Sequence, residues 1–130
     1  MPGMSIGDVS RRAGLATSTI RYYERIGLLP APERLSGQRR YDHSVLRRLS
    51  VIETAKASGF TLAEIRRLLF AFPDETTATE RWRQMSTVKL DEIDQQIAEL
   101  ERVRDQLART LECRCQSLDD CARTAGNCHV

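Results

Sequence analysis

From Glu80 to Glu112 the chain contains neither proline nor glycine, the two residues that most readily end or kink a helix. The spacing predicts one continuous helix of roughly 30 residues, about 45 Å long at the usual rise per residue. Within it Leu90, Ile93, Ile97, Leu100, Leu107 and Leu111 recur in a 3-4 alternation, the signature of a coiled-coil seam. Arg104 interrupts that seam once, and such a polar break fixes register or partner at some cost in stability. A chain of 130 residues has no other element large enough to cover the whole stripe, so self-association is expected.

The residues before this helix read as a set of short helices with a turn between them. Ser5 followed by Asp8 makes a capping box, with Ile6 and Val9 facing inward, and Gly14 supplies a stop. Thr17 offers a second N-cap, and STIRYYERIG runs helically to Gly27. Two helices separated by so short a turn form a helix-turn-helix candidate, with Ser18, Arg21 and Tyr22 outward and Ile20 and Tyr23 toward the core. LLPAPERLSGQRRY then reads as a loop into a hairpin, or wing, turning at Gly37. Asp42 can cap a helix carrying Val45, Leu46, Leu49, Ile52 and Ala55, which stops at Ser58-Gly59. Thr61 and Glu64 form another capping box, opening a helix with Leu62, Ile65, Leu68 and Leu69 on one side. Pro73-Asp74 and the polar run through Thr79 break that pattern. The expected organisation is therefore mainly α: a head at 4–72, a long helix at 80–112, and a cysteine-rich tail at 113–130.

Charge divides along the same line. Residues 1–72 carry 12 Lys/Arg against 6 Asp/Glu, a net +6, whereas residues 73–130 carry 8 against 12, a net −4. The overall +2 thus conceals a basic head, suited to a polyanion, joined to an acidic remainder. Arg21-Tyr22-Tyr23-Glu24 places a planar guanidinium and phenolic hydroxyls on the second helix, the groups that read base edges and grip phosphate. Gln38-Arg39-Arg40-Tyr41 places two more cations on the wing. Both clusters in one basic module point to double-stranded DNA as the partner. No Ser/His/Asp set and no phosphate loop is visible, and His43 and His129 are the sole histidines, so catalysis is not expected. No apolar run long enough to span a membrane and no charged-then-apolar leader is seen, so a cytoplasmic protein is expected.

These motifs together resemble the MerR family of bacterial transcription regulators. The resemblance is carried by SIGDVSRRAGLATSTIRYYERIGLL, SGQRRYDHSVLRRL, FTLAEIRRLL and the coiled-coil helix ending in a cysteine loop. It implies a winged helix-turn-helix domain at each end of an antiparallel coiled-coil homodimer. It also implies a mechanism: the dimer sits on a promoter whose −35 and −10 elements are too widely spaced, and an effector makes it bend and untwist the DNA so that RNA polymerase engages. Deformation of DNA by several kcal/mol is enough to switch a promoter. Ser18, Arg21, Tyr22, Tyr23, Arg39, Arg40 and Tyr41 match the family's DNA-contacting positions.

The tail decides what is sensed. All four cysteines, Cys113, Cys115, Cys121 and Cys128, fall in the spacing C-x-C-x5-C-x6-C. In a reducing compartment clustered cysteines are more often metal ligands or redox sensors than structural disulfides. In one reading two or three thiolates bind a soft ion such as Cu(I), Zn(II), Cd(II), Hg(II) or Pb(II); Glu112, Asp119 and Asp120 make the surroundings acidic. Cys113 and Cys121, with seven residues between them, resemble the pair of the family's metal sensors, although Thr79 stands where divalent-metal sensors place a further cysteine. In a second reading the four cysteines hold a [2Fe-2S] cluster, because CRCQSLDDC, Trp82 and the QRRY wing resemble the SoxR branch. There the first cysteine of the branch motif is replaced by Thr110, and Cys128 would supply the fourth ligand. In a third, Cys113 or Cys115 pairs with Cys121 as a disulfide switch. His129 offers a further nitrogen ligand beside Cys128. A metallochaperone or adaptor would use the same cysteines but would not need the basic helix-turn-helix and wing.

Overall fold

The computed structural model describes residues 3–123. In chain order these form α1 (Ile6–Ala13), α2 (Thr17–Arg25), β1 (Glu33–Leu35), β2 (Gln38–Arg40), α3 (Ser44–Ala57), α4 (Leu62–Phe70), α5 (Ala78–Thr110) and α6 (Leu118–Arg123). They fall into two compact units, Met1–Arg83 and Gln84–Val130. Among the described residues no helix is long and apolar enough to cross a membrane.

The first unit is assembled from the start and stop signals of its helices. At α1 the Ser5 hydroxyl accepts from the Asp8 N–H and the Asp8 carboxylate accepts from the Ser5 N–H, so both orphan donors are satisfied. Gly14, at φ 70, ends the helix in the left-handed region that a residue with a Cβ avoids. At α4 Thr61 and Glu64 form the same reciprocal pair. The start of α2 differs from expectation. Ala16, not Thr17, occupies the cap, with no side-chain hydrogen bond, because the short α1–α2 turn closes one residue earlier than the hydroxyl pattern suggests. Asp42 serves α3 from one residue further out: its carboxylate accepts from the Ser44 N–H at 3.3 Å and from the Ser44 hydroxyl, while His43 already has helical backbone angles.

Helix α1 packs on α2 and α3, and α4 packs on α3. Val9, Ile20, Leu28, Leu49, Ile52 and Ile65 are fully buried between them, and Phe60 meets the Trp82 ring edge-on at 6.1 Å. The wing is a two-stranded antiparallel hairpin with Leu35 opposite Gln38, turning through Ser36 at φ 53 and Gly37 at φ 78. Two successive positive φ values make the tight turn whose twist matches the strands. Its base is tied down where Met4 and Tyr41 exchange backbone hydrogen bonds of 2.9 and 2.8 Å.

Helix α5 runs 33 residues, about 50 Å, and is shifted two residues toward the N-terminus relative to the expected 80–112. The Thr77 hydroxyl accepts from the Glu80 N–H at 3.1 Å and so caps the helix inside the polar run read as a break. At the other end Leu111, Glu112 and Cys113 bond to carbonyls three residues back, and the helix tightens out of α geometry. The seam residues stand open on the chain: Leu100 is 67% exposed and Leu107 66%. The tail is not all loop. Ser117 accepts from the Asp120 N–H at 3.2 Å and starts the short α6.

Candidate DNA interface and thiol centre

The outward face of α2 carries Ser18, Arg21 and Tyr22, all exposed, at the i, i+3, i+4 spacing that puts side chains on one side of a helix. Arg25 continues that face and lays its guanidinium over the Tyr22 ring at 5.4 Å. The sequence motifs did not single Arg25 out, although RYYER places it one turn beyond Arg21. On the wing, Arg39 and Arg40 are half-buried.

Tyr23 and Tyr41 are placed differently from a direct DNA contact: both are 2% exposed and belong to the core. The Tyr23 hydroxyl donates to Glu53 at 2.8 Å and accepts from the Lys56 ammonium at 2.9 Å. Burial raises the Tyr23 phenol above its usual range, and the hydrogen bond to that phenol raises Lys56. The Tyr41 hydroxyl donates to Glu24, and Arg39 reaches the other oxygen of the same carboxylate at 3.1 Å. Burial again raises the phenol, and hydrogen bonding to Tyr41, then the Glu24 charge, raises Arg39. The phenols therefore stay protonated and the cations charged at any physiological pH.

The thiols converge. Cys113 and Cys115 lie in the turn after α5 and Cys121 in the middle of α6, and their Sγ atoms all lie within 4.8 Å of one another. The Cys115 N–H points to the Cys113 sulfur at 3.4 Å, which stabilises negative charge there. All three are half-buried. Cys128 and His129 lie outside the described residues. Thr110 ends α5, its hydroxyl donating to the Leu107 carbonyl, and Thr79 lies in the first turn of the same helix. Sequence spacing did not anticipate α6, although Ser117 followed three residues later by Asp120 is a cap signal. The seven residues between Cys113 and Cys121 are brought back by that helix rather than by an open loop.

The family described as MerR HTH family regulatory protein matches residues 4–71, and that described as MerR, DNA binding matches residues 46–110. Among curated relatives, the HTH-type transcriptional regulator HmrR of Rhizobium leguminosarum bv. viciae is 38% identical, the match covering 84% of this chain and 81% of the relative. A SoxR homolog, an HTH-type transcriptional activator of Chromobacterium violaceum, is 34% identical, covering 91% and 80%. Among solved structures, the transcription regulator PbrR691 from Ralstonia metallidurans CH34 in complex with lead(II) superposes with TM-score 0.72 at 31% identity, covering 88% of this chain and 91% of that one. HiNmlR, a MerR family regulator lacking the sensor domain and bound to promoter DNA, gives TM-score 0.55 at 27% identity, covering 84% and 86%. With helix-turn-helix, wing, long helix and thiol centre all present in one chain, these matches place the protein in the MerR family of DNA-binding transcription regulators.

Proposed function

We propose that the protein is a promoter-binding regulator that responds to a soft metal ion held by Cys113, Cys115 and Cys121. The observation that carries the reading is the convergence of the three sulfurs within 4.8 Å. Three thiolates around one ion at a zinc-like bond length of about 2.3 Å stand about 4 Å apart, so a small inward movement would complete the site. Cu(I), Zn(II), Cd(II), Hg(II) and Pb(II) all suit such ligands, and the similarity to a regulator solved with lead(II) supports the class. DNA contact is assigned to Ser18, Arg21, Tyr22, Arg39 and Arg40, with Tyr23 and Tyr41 supporting from the core. The seam of α5 pairs with a second copy in an antiparallel homodimer, so that two heads act on one promoter and RNA polymerase responds to the distorted DNA.

The competing reading is a [2Fe-2S] cluster, favoured by the CRCQSLDDC motif and by similarity to a SoxR homolog. Such a cluster usually takes four thiolates; Thr110 stands where the SoxR-like motif has its first cysteine, so Cys128 would supply the fourth. Protein purified without air decides between them. The expected result is colourless protein that takes up one soft ion per chain and loses uptake on Cys121→Ser. Brown protein with visible absorption and two irons per chain would overturn the single-ion reading. Metal-free protein whose DNA response follows peroxide or diamide would replace it with a disulfide switch.

A further inference from the structure

A carboxylate stands between the two elements assigned to DNA. Glu24 lies on α2, three residues after Arg21, and its side chain is only 10% exposed. A carboxylate so largely withdrawn from water gains from pairing, and here both partners come from the wing side: Arg39 of β2 at 3.1 Å and the hydroxyl of Tyr41. The hairpin has little else to hold it. It has three residues per strand and mostly exposed side chains, and a two-stranded ribbon is marginal on its own. Tyr41 anchors its base to Met4 through two backbone hydrogen bonds, which lie at the foot of the strands and not along them. The Glu24 carboxylate, accepting from one residue within the strand and one at its foot, ties the hairpin directly to α2.

We propose that Glu24 is a positioning residue for sequence-specific DNA binding: by holding Arg39 and Tyr41 it sets the reach of the wing relative to the recognition helix. An acid beside a polyanion repels it, so on charge alone its removal should strengthen binding. If its work is positional, removal has opposite effects on two kinds of DNA. Binding to a matched site, which needs helix and wing engaged together, falls. Binding to unmatched DNA, which needs charge only, holds or rises, because Arg39 is released and the head gains one positive charge.

The proposal rests on α2 and the wing being the DNA contacts, and the test separates the two. Wild-type protein first selects a duplex from a random pool; Kd is then measured on that duplex and on a scrambled one of equal length, across a salt series. Arg21→Ala and Arg40→Ala test the contact assignment, and both should weaken binding. Glu24→Ala should lose about tenfold or more on the selected duplex and keep or gain affinity on the scrambled one, where charge alone binds. Hydroxyl-radical protection where the wing lies should fade while protection under α2 remains. Should Glu24→Ala fail to fold, Glu24→Gln carries the test, since it keeps an acceptor for Tyr41 and removes only the charge that holds Arg39; a drop in the matched-to-scrambled ratio is expected. An unchanged ratio in a folded variant, or an equal loss on both duplexes, overturns the positioning role while leaving the Arg21 and Arg40 result standing.

Discussion

Leu100→Ala tests how the long helix is covered. In the chain by itself Leu100 is 67% exposed, so about two-thirds of its surface remains to be buried by a partner. Full burial of a leucine side chain contributes about 1.5 to 3 kcal/mol, and two-thirds of that is about 1 to 2 kcal/mol. Alanine retains the Cβ, so the net loss is about 1 kcal/mol per copy. A homodimer contains the residue twice, which gives about 2 kcal/mol, or roughly thirtyfold in the dimer Kd. Alanine is also the stronger helix former, so the loss cannot come from a weaker α5. The control is Gln95→Ala, roughly 140° round the helix from Leu100 at 3.6 residues per turn. There the side-chain amide donates to Asp91 of its own helix, at 2.9 Å. Sedimentation equilibrium across a dilution series reads both variants directly. A Leu100→Ala dimer as tight as wild type, or an equal weakening by Gln95→Ala, would refute the seam as the self-association surface.

Arg81 reaches four carbonyls, those of Leu68, Leu69, Pro73 and Thr76, at 3.0 to 3.3 Å and lies over the Phe72 ring; Arg81→Ala should cost the first unit about 2 kcal/mol, seen as a lowered Tm in thermal melts, and an unchanged Tm would sink the assignment. The Ser5 N–H, then the Ser5 hydroxyl, hold the Asp8 carboxyl below its usual 3.8. A lowered folded-state value means that this carboxylate stabilises fully above the ordinary range and ceases to do so as pH falls through the lowered value. Asp8→Asn should therefore flatten the acid limb of the stability curve below about pH 4 in urea melts at stepped pH. Arg40→Ala should reduce the log–log salt slope of DNA binding by about 0.9 for each phosphate that Arg40 neutralises, which fluorescence anisotropy across a salt series measures. Metal uptake by the thiol centre must release protons, so affinity should fall as pH falls; isothermal titration in buffers of different ionisation enthalpy counts them.

Much of the architecture was legible because it is local. Ser5 with Asp8 and Thr61 with Glu64 act across three residues, Ser36-Gly37 across a turn, and the absence of proline and glycine across α5 leaves nothing to stop the helix. Where the expectation slipped, another local signal had competed: Thr77 capped α5 ahead of Glu80, and Ser117 built a helix in what read as a loop. Helical spacing already turned Tyr23 toward the core, but the burial of Tyr41 could not be read the same way. On sequence Tyr41 is a phenol next to basic residues, and the hydroxyl partners of both phenols, Glu53 and Lys56 for Tyr23 and Glu24 for Tyr41, lie 17 to 33 positions away.

Periodicity, capping and charge act between near neighbours, and so the order of helices, the basic head, the seam and the thiol-rich end are all written in the linear chain. That Cys113, Cys115 and Cys121 meet within 4.8 Å, and that Glu24 binds Arg39 across 15 positions, emerged with the folded molecule. Such meetings are set by how helices and turns fold back in three dimensions, and distance along a chain carries no measure of that.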